Sequence, residues 1–215
     1  MIANGSQGGA IVERFNREIT VGDLRRANVP EKFWYATIAE VPKHLPYVKK
    51  VLSYYTQMDE LMGKGIGVYL YSSQNQTGKT SIAVALLKRA IKLQKTVFFE
   101  EAGRLKNALT RNEEFEDSVL LDSRIRRVDL LVVDDLGKEY RTSSGYAEST
   151  IENIIRDRVQ SVRPFIITGN MTPKKIGSVY SESLSALLKG VLIPIEVSGY
   201  DWAVKRESEI KKILR

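Results

Sequence analysis

From residue 68 to residue 197 the chain alternates short apolar runs with longer stretches of helical period. Residues 68–72, 96–100, 129–134, 164–168 and 192–197 each carry consecutive apolar positions, the mark of strands buried on both faces. Between them the apolar residues recur every three to four positions. The clearest case follows residue 80, where Ile82, Val84, Ala85, Leu87, Ala90 and Ile91 form one stripe that predicts a helix to about residue 94. Further helices are predicted near 102–109 and 146–162, with helical turns at 173–180 and 182–189. An acidic loop (Glu113, Glu114, Glu116, Asp117) and a short helix are expected before the third strand. Strands separated by helices predict an α/β fold, a parallel five-stranded sheet flanked by helices. Upstream, residues 21–62 show helical patches broken by Pro30, Pro42 and Pro46. Leu24, Ala27, Val29, Phe33 and Trp34 give this segment an apolar side, so it is expected to pack on the main domain. Residues 48–62 read as one helix stopped by Gly63, Gly65 and Gly67. The expected division is a helical, partly mobile lead-in (1–62), a nucleotide-binding domain (63–200) and a basic tail (201–215).

Composition narrows the picture. The 215 residues suffice for one full domain and a short appendage. No cysteine is present, which excludes disulfides and thiolate metal sites and agrees with a reducing compartment. The single histidine, His44, lies in a proline-flanked segment and reads as a surface residue. No apolar stretch reaches membrane-spanning length, so a cytoplasmic protein is expected. The net charge of +7 and the pI near 9.5 point to a polyanionic partner. The cations cluster at Arg25-Arg26, Lys49-Lys50, Arg124, Arg126-Arg127, Lys174-Lys175 and a tail holding Lys205, Arg206, Lys211, Lys212 and Arg215. Such patches bind phosphate in a sequence-independent, salt-sensitive way. A solvated surface with no partner would carry the same composition.

Chemistry enters at the first strand's end. The octapeptide Ser73-Gln74-Asn75-Gln76-Thr77-Gly78-Lys79-Thr80, followed by Ser81, fits a phosphate-binding loop in which backbone N–H groups curl around the terminal phosphates. The lysine would place its ammonium on the β- and γ-phosphates, and the Thr80 hydroxyl would join a Mg²⁺ shell. The helix that begins there adds its positive dipole end. Ser73 replaces the first glycine of the motif, and Gln76 stands where many such loops have another.

The third strand ends in Asp134-Asp135-Leu136-Gly137, two carboxylates at the rim where ligands of open α/β sheets bind. Asp134 suits the orientation of a Mg²⁺ shell, and Asp135 the polarisation of an attacking water. The pair also reads as an N-cap for a following helix. The fourth strand ends in Thr168-Gly169-Asn170. Asn170, with Thr168 second, is the polar tip suited to reach a γ-phosphate, or else ordinary turn chemistry before Pro173.

These pieces together resemble the AAA+ ATPase domain of DnaC/DnaI-type helicase loaders, phage versions included, and the related IstB-like ATPases. The likeness rests on Arg26-Ala-Asn-Val-Pro30 with Phe33-Trp34, Thr77-Gly-Lys-Thr80, Leu131-Val-Val-Asp-Asp-Leu-Gly137 and Thr168-Gly-Asn170, and spans roughly residues 20–200. It implies an AAA+ P-loop NTPase fold, ATP and Mg²⁺ as ligands, self-association through adjacent subunits, contact with single-stranded DNA and a replicative helicase as partner. Within it Lys79 and Thr80 hold phosphate and metal, Asp134 orients the metal, Asp135 takes the catalytic-base position and Asn170 is the first sensor. Arg206 corresponds to a second, arginine sensor. The helix that bears an intersubunit arginine in relatives has none here, only Lys189. Such an arginine is worth roughly 10³–10⁵ in rate, so a slow ATPase is expected. An IstB-like transposition helper, or a non-hydrolysing adaptor on the same fold, are the alternatives.

Overall fold

Each of the five apolar runs forms a strand: β1 (Gly67–Tyr71), β2 (Val97–Glu101), β3 (Leu130–Leu136), β4 (Phe165–Gly169) and β5 (Leu192–Glu196). The computed structural model describes residues 18–105, 115–137, 146–199 and Trp202. All pairings are parallel, in the order β2-β3-β4-β1-β5. Thus β4 lies between β1, which feeds the phosphate loop, and β3, which carries the paired aspartates.

The strand pleat divides the core in two. Val68, Leu70, Leu130, Val132 and Ile166 face one hydrophobic cluster, while Tyr69, Leu131, Val133, Phe165 and Ile167 face the other. On the first side pack α1 (Val21–Arg26), α2 (Val48–Thr56), α3 (Met58–Gly63) and α4 (Lys79–Lys92); on the second, α5 (Phe115–Arg127), α6 (Tyr146–Gln160), α7 (Ile176–Val179) and α8 (Glu182–Val191). Two local readings change. The helix expected over 48–62 is two helices, because Gln57 (φ −96°, ψ 10°) breaks the first and opens the second. Glu116 and Asp117 belong to the 13-residue helix α5 rather than to a loop. Residues 1–17, 106–114 (the end of the helix expected over 102–109, with Glu113 and Glu114), 138–145 and the basic tail apart from Trp202 lie outside the described residues.

The lead-in is joined to the sheet through its Ala27-Asn28 turn. Phe99 N–H of β2 donates to the Ala27 carbonyl at 2.8 Å, and Asn28 Nδ2 donates to Phe99 O and Glu100 Oε2, both at 3.0 Å. Asn28 does this from a left-handed backbone (φ 57°), which asparagine tolerates better than most residues. Lys88 of α4 adds a second anchor, donating to the carbonyls of Trp34 and Ala36 (3.0 Å for the latter). Across the sheet, Arg158 of α6 is 1% exposed and donates to the carbonyls of Ile125 (2.7 Å), Val128 (3.0 Å) and Pro164 (2.7 Å). It thereby ties the end of α5 to the starts of β3 and β4.

Candidate nucleotide-binding site

The loop between β1 and α4 is shaped by two left-handed residues. Gly78 (φ 90°) is the N-cap of α4, and Gln76 has φ 57°. The position where glycine is common thus keeps its unusual backbone with a glutamine in place. A side chain there costs about 1 kcal/mol relative to glycine. Gln76→Gly is therefore expected to raise the stability of the apo protein by up to about 1 kcal/mol, measured by urea unfolding. At Gly78 the constraint is also spatial, because an added Cβ would come 2.3 Å from Nε1 of Trp202. The Trp202 backbone N–H donates to Gln76 O at 3.1 Å, so this residue lies against the loop.

Lys79 is buried at the first turn of α4. Its Nζ donates to Gln74 O at 3.0 Å and lies 3.5 Å from Thr77 Oγ1. The next residue, Thr80, donates its hydroxyl to Asp134 Oδ1 at 2.9 Å. Thr168 of β4 donates to the same Oδ1 at 2.6 Å, and its oxygen accepts the Asp135 N–H at 2.9 Å. Asp134 is 5% exposed. Burial pushes its carboxyl above the usual range, against the lowering effect of the Thr168 and Thr80 hydroxyls. The negative charges of Asp135 and Glu101 add to the rise.

Asp135 takes a left-handed backbone (φ 59°) at an irregularity in the β3–β4 register between Val133 and Leu136. Such a bulge re-aims a side chain at a strand end. Here Asp135 lines the same cavity as the loop. That cavity, about 440 Å³, is bounded by residues 75–81, Asp135 and Asn170. Its size suits a nucleotide's phosphates and ribose. Asn170 lines this cavity, and its Oδ1 is buried and makes no hydrogen bond among the described residues.

The structure therefore gathers Asn75, Gln76, Thr77, Gly78, Lys79, Thr80, Ser81, Asp134, Asp135 and Asn170 at one rim of the sheet. Ser73 and Gln74 stand at the loop's start, with Gln74 N–H accepted by Ser72 Oγ at 3.2 Å. Arg206 lies outside the described residues. Thr168, the second choice for the polar tip, is committed to Asp134 and Asp135, which leaves Asn170 facing the cavity. The contact of Trp202 with Gly78 has no local signal in the sequence. Mg²⁺ is a hard ion that typically takes one or two carboxylates, waters and phosphate oxygens. Thr80 and Asp134, already hydrogen-bonded, fit that donor set. No group of three or more acidic, histidine or cysteine side chains forms a separate metal cage among the described residues.

Residues 68–193 match the family described as IstB-like ATP binding protein. The chain belongs to this family. The match covers the loop, both aspartates and Asn170. No curated protein sequence matches. Among solved structures the IstB-like chain is similar to a DnaC helicase loader (TM-score 0.69, 20% identity, 79% of this chain and 100% of that one). It is also similar to DnaI (0.66, 18%, 79% and 94%) and to the replication initiator DnaA bound to AMPPCP and single-stranded DNA (0.61, 19%, 76% and 50%). At these identities the likeness is one of fold, an AAA+ P-loop NTPase. No helix among the described residues is long and apolar enough to cross a membrane.

Proposed function

We propose that this IstB-like protein binds ATP with Mg²⁺ and acts as a DNA replication accessory factor, loading or assisting a replicative hexameric helicase on single-stranded DNA. The observation that carries it is the hydrogen-bonded line Thr80–Asp134–Thr168–Asp135 N–H beside the Lys79 loop. It brings Thr80 and Asp134 together beside a cavity lined by the Lys79 loop and Asp135, which supports these roles. In this reading Lys79 binds the β- and γ-phosphates, and Thr80 with Asp134 holds the ion. The bound Mg²⁺ would neutralise charge on the phosphates. Asp135 accepts the proton of the attacking water, and Asn170 donates from its amide to the γ-phosphate. Arg206 would complete the site from the tail. Residues 63–200 form the ATP-binding domain, between the lead-in (1–62) and the basic tail (201–215).

Hydrolysis is slow in this scheme. Asp135 is one methylene shorter than glutamate, and α8 offers the exposed Lys189 in place of an arginine to a neighbouring subunit. Asp135→Asn is expected to spare ATP affinity and lower turnover about a hundredfold, the small end of general-base effects because the starting rate is low. Steady-state phosphate release beside an ATP-binding titration checks this. Unchanged turnover would remove Asp135 from the chemistry.

The fold shared with a DnaC helicase loader supports the replication role, while family membership favours a second reading, an ATPase helping a transposase on duplex DNA. A non-hydrolysing adaptor is the third. A pull-down of the host's replicative helicase by this chain, with and without ATP, separates them. Nucleotide-dependent capture supports the loader, and its absence favours the others.

A further inference from the structure

The rim of the sheet opposite the nucleotide cavity holds a second cleft, of about 500 Å³, into which three distant cations converge: Arg26 from α1, Lys95 after α4, and Arg124 from α5. In the sequence Arg26 and Arg124 belong to separate basic clusters, and Lys95 to none of them. The lead-in turn brings them together, because Arg124 Nη2 donates to the backbone carbonyl of Arg26. Its guanidinium also stacks over the Phe98 ring at 4.6 Å. Neither contact neutralises it, and both hold it in place, which reduces the entropy lost on binding an anion. Lys95 pairs with Asp59 at 2.8 Å, an exposed contact of little energetic weight.

The carboxylates nearby are committed. Asp23, which lines the cleft, accepts from the Thr20 N–H and hydroxyl at 2.9 Å and from Arg26 at 2.6 Å, closing the N-terminal capping box of α1. Asp129 accepts from Thr96 N–H and Oγ1 at 2.8 and 2.7 Å. Arg26 keeps an exposed side chain despite its pair with Asp23.

We propose that this cleft holds phosphodiester groups of a single-stranded polynucleotide, on a face separate from the nucleotide site. The inference rests on the reading of the protein as a DNA-binding factor and names the surface that would do the binding. Helix α4 begins at the phosphate loop and brings Ile91 to this cleft, about 20 Å away at 1.5 Å per residue. Among the described elements it is the one that lines both sites.

The test is fluorescence anisotropy of a labelled oligo-dT across a salt series with the full chain. The variants are Arg26→Glu with Arg124→Glu, and the milder Lys95→Gln, which gives up only the exposed pair with Asp59. Expected is a roughly tenfold to hundredfold weaker Kd for the double variant and a salt slope smaller by about 1.4, at about 0.7 per phosphate contact on single strands. Lys95→Gln should lower the slope by about half that, with ATP affinity unchanged in every variant. Unaltered Kd and slope in Lys95→Gln and in the double variant would overturn the assignment while leaving DNA binding in place. So would inorganic phosphate binding as tightly as the oligomer. A wild-type protein that fails to bind oligo-dT would overturn both the cleft and the DNA reading, yet leave ATP binding standing.

Discussion

Lys79→Ala is expected to weaken ATP binding by roughly 10²–10³-fold with the fold intact. The ammonium is buried, held by a carbonyl at 3.0 Å and a hydroxyl at 3.5 Å. These two contacts are neutral, so the phosphate of a bound nucleotide would add an opposite charge that they do not supply. Losing one partner of a buried charge pair costs about 2–5 kcal/mol, and every 1.4 kcal/mol is a factor of ten. The carbonyl of Gln74 belongs to an exposed loop residue that water can reach. Stability should therefore change little. Calorimetric titration with ATP and Mg²⁺, beside a thermal melt, separates the two quantities. An affinity within threefold of wild type would remove the loop from the functional account.

The largest effect on stability is expected at Arg158, far from the nucleotide. Arg158→Met keeps the volume of the aliphatic stem and removes the donors. Three buried carbonyls then lose a donor within 3.0 Å, Pro164 keeping only the long Leu131 N–H bond at 3.5 Å, with the Asp129 carbonyl at 3.4 Å a weaker fourth. Unsatisfied buried acceptors cost about 1–3 kcal/mol each before relaxation, and water entry recovers part of this. A net loss of about 3 kcal/mol is expected, or roughly 6–12 °C in Tm for a chain of this size. Burial lowers the pKa of this guanidinium to about 9, so it remains charged at neutral pH. Its folded pKa lies below the unfolded value, so the unfolded chain binds the extra proton between the two. Stability from this group accordingly rises with pH above about 9 and is flat below. A methionine variant that melts with wild type would show that water already serves those carbonyls.

The strands were legible because each is a run of apolar residues long enough to cross the sheet. All five fall within one or two residues of expectation, β3 running on through Leu136. The phosphate loop and the two aspartates were legible for a different reason, since their chemistry needs fixed residue types at fixed spacing. What the sequence hid is non-local. Nothing near Asp134 tells that Thr80 and Thr168 converge on its Oδ1, 54 and 34 residues away. The left-handed backbone at Asp135 arises from a register irregularity that depends on β4. Nor does Arg158 look different from any helical arginine until Ile125, Val128 and Pro164 surround it. The break at Gln57 was missed because the apolar period runs through it undisturbed.

The Ala27-Asn28 turn has a consequence for how copies of the chain meet. A bare strand margin is an invitation to cross-chain ladders. On β2 that margin is occupied by the molecule's own main chain. On β5, at the other flank, Pro194 deletes a donor in mid-strand. With both flanks blunted, rings or filaments of this protein would have to be cemented through helices and loops, and misassembly by strand exchange is discouraged from the outset.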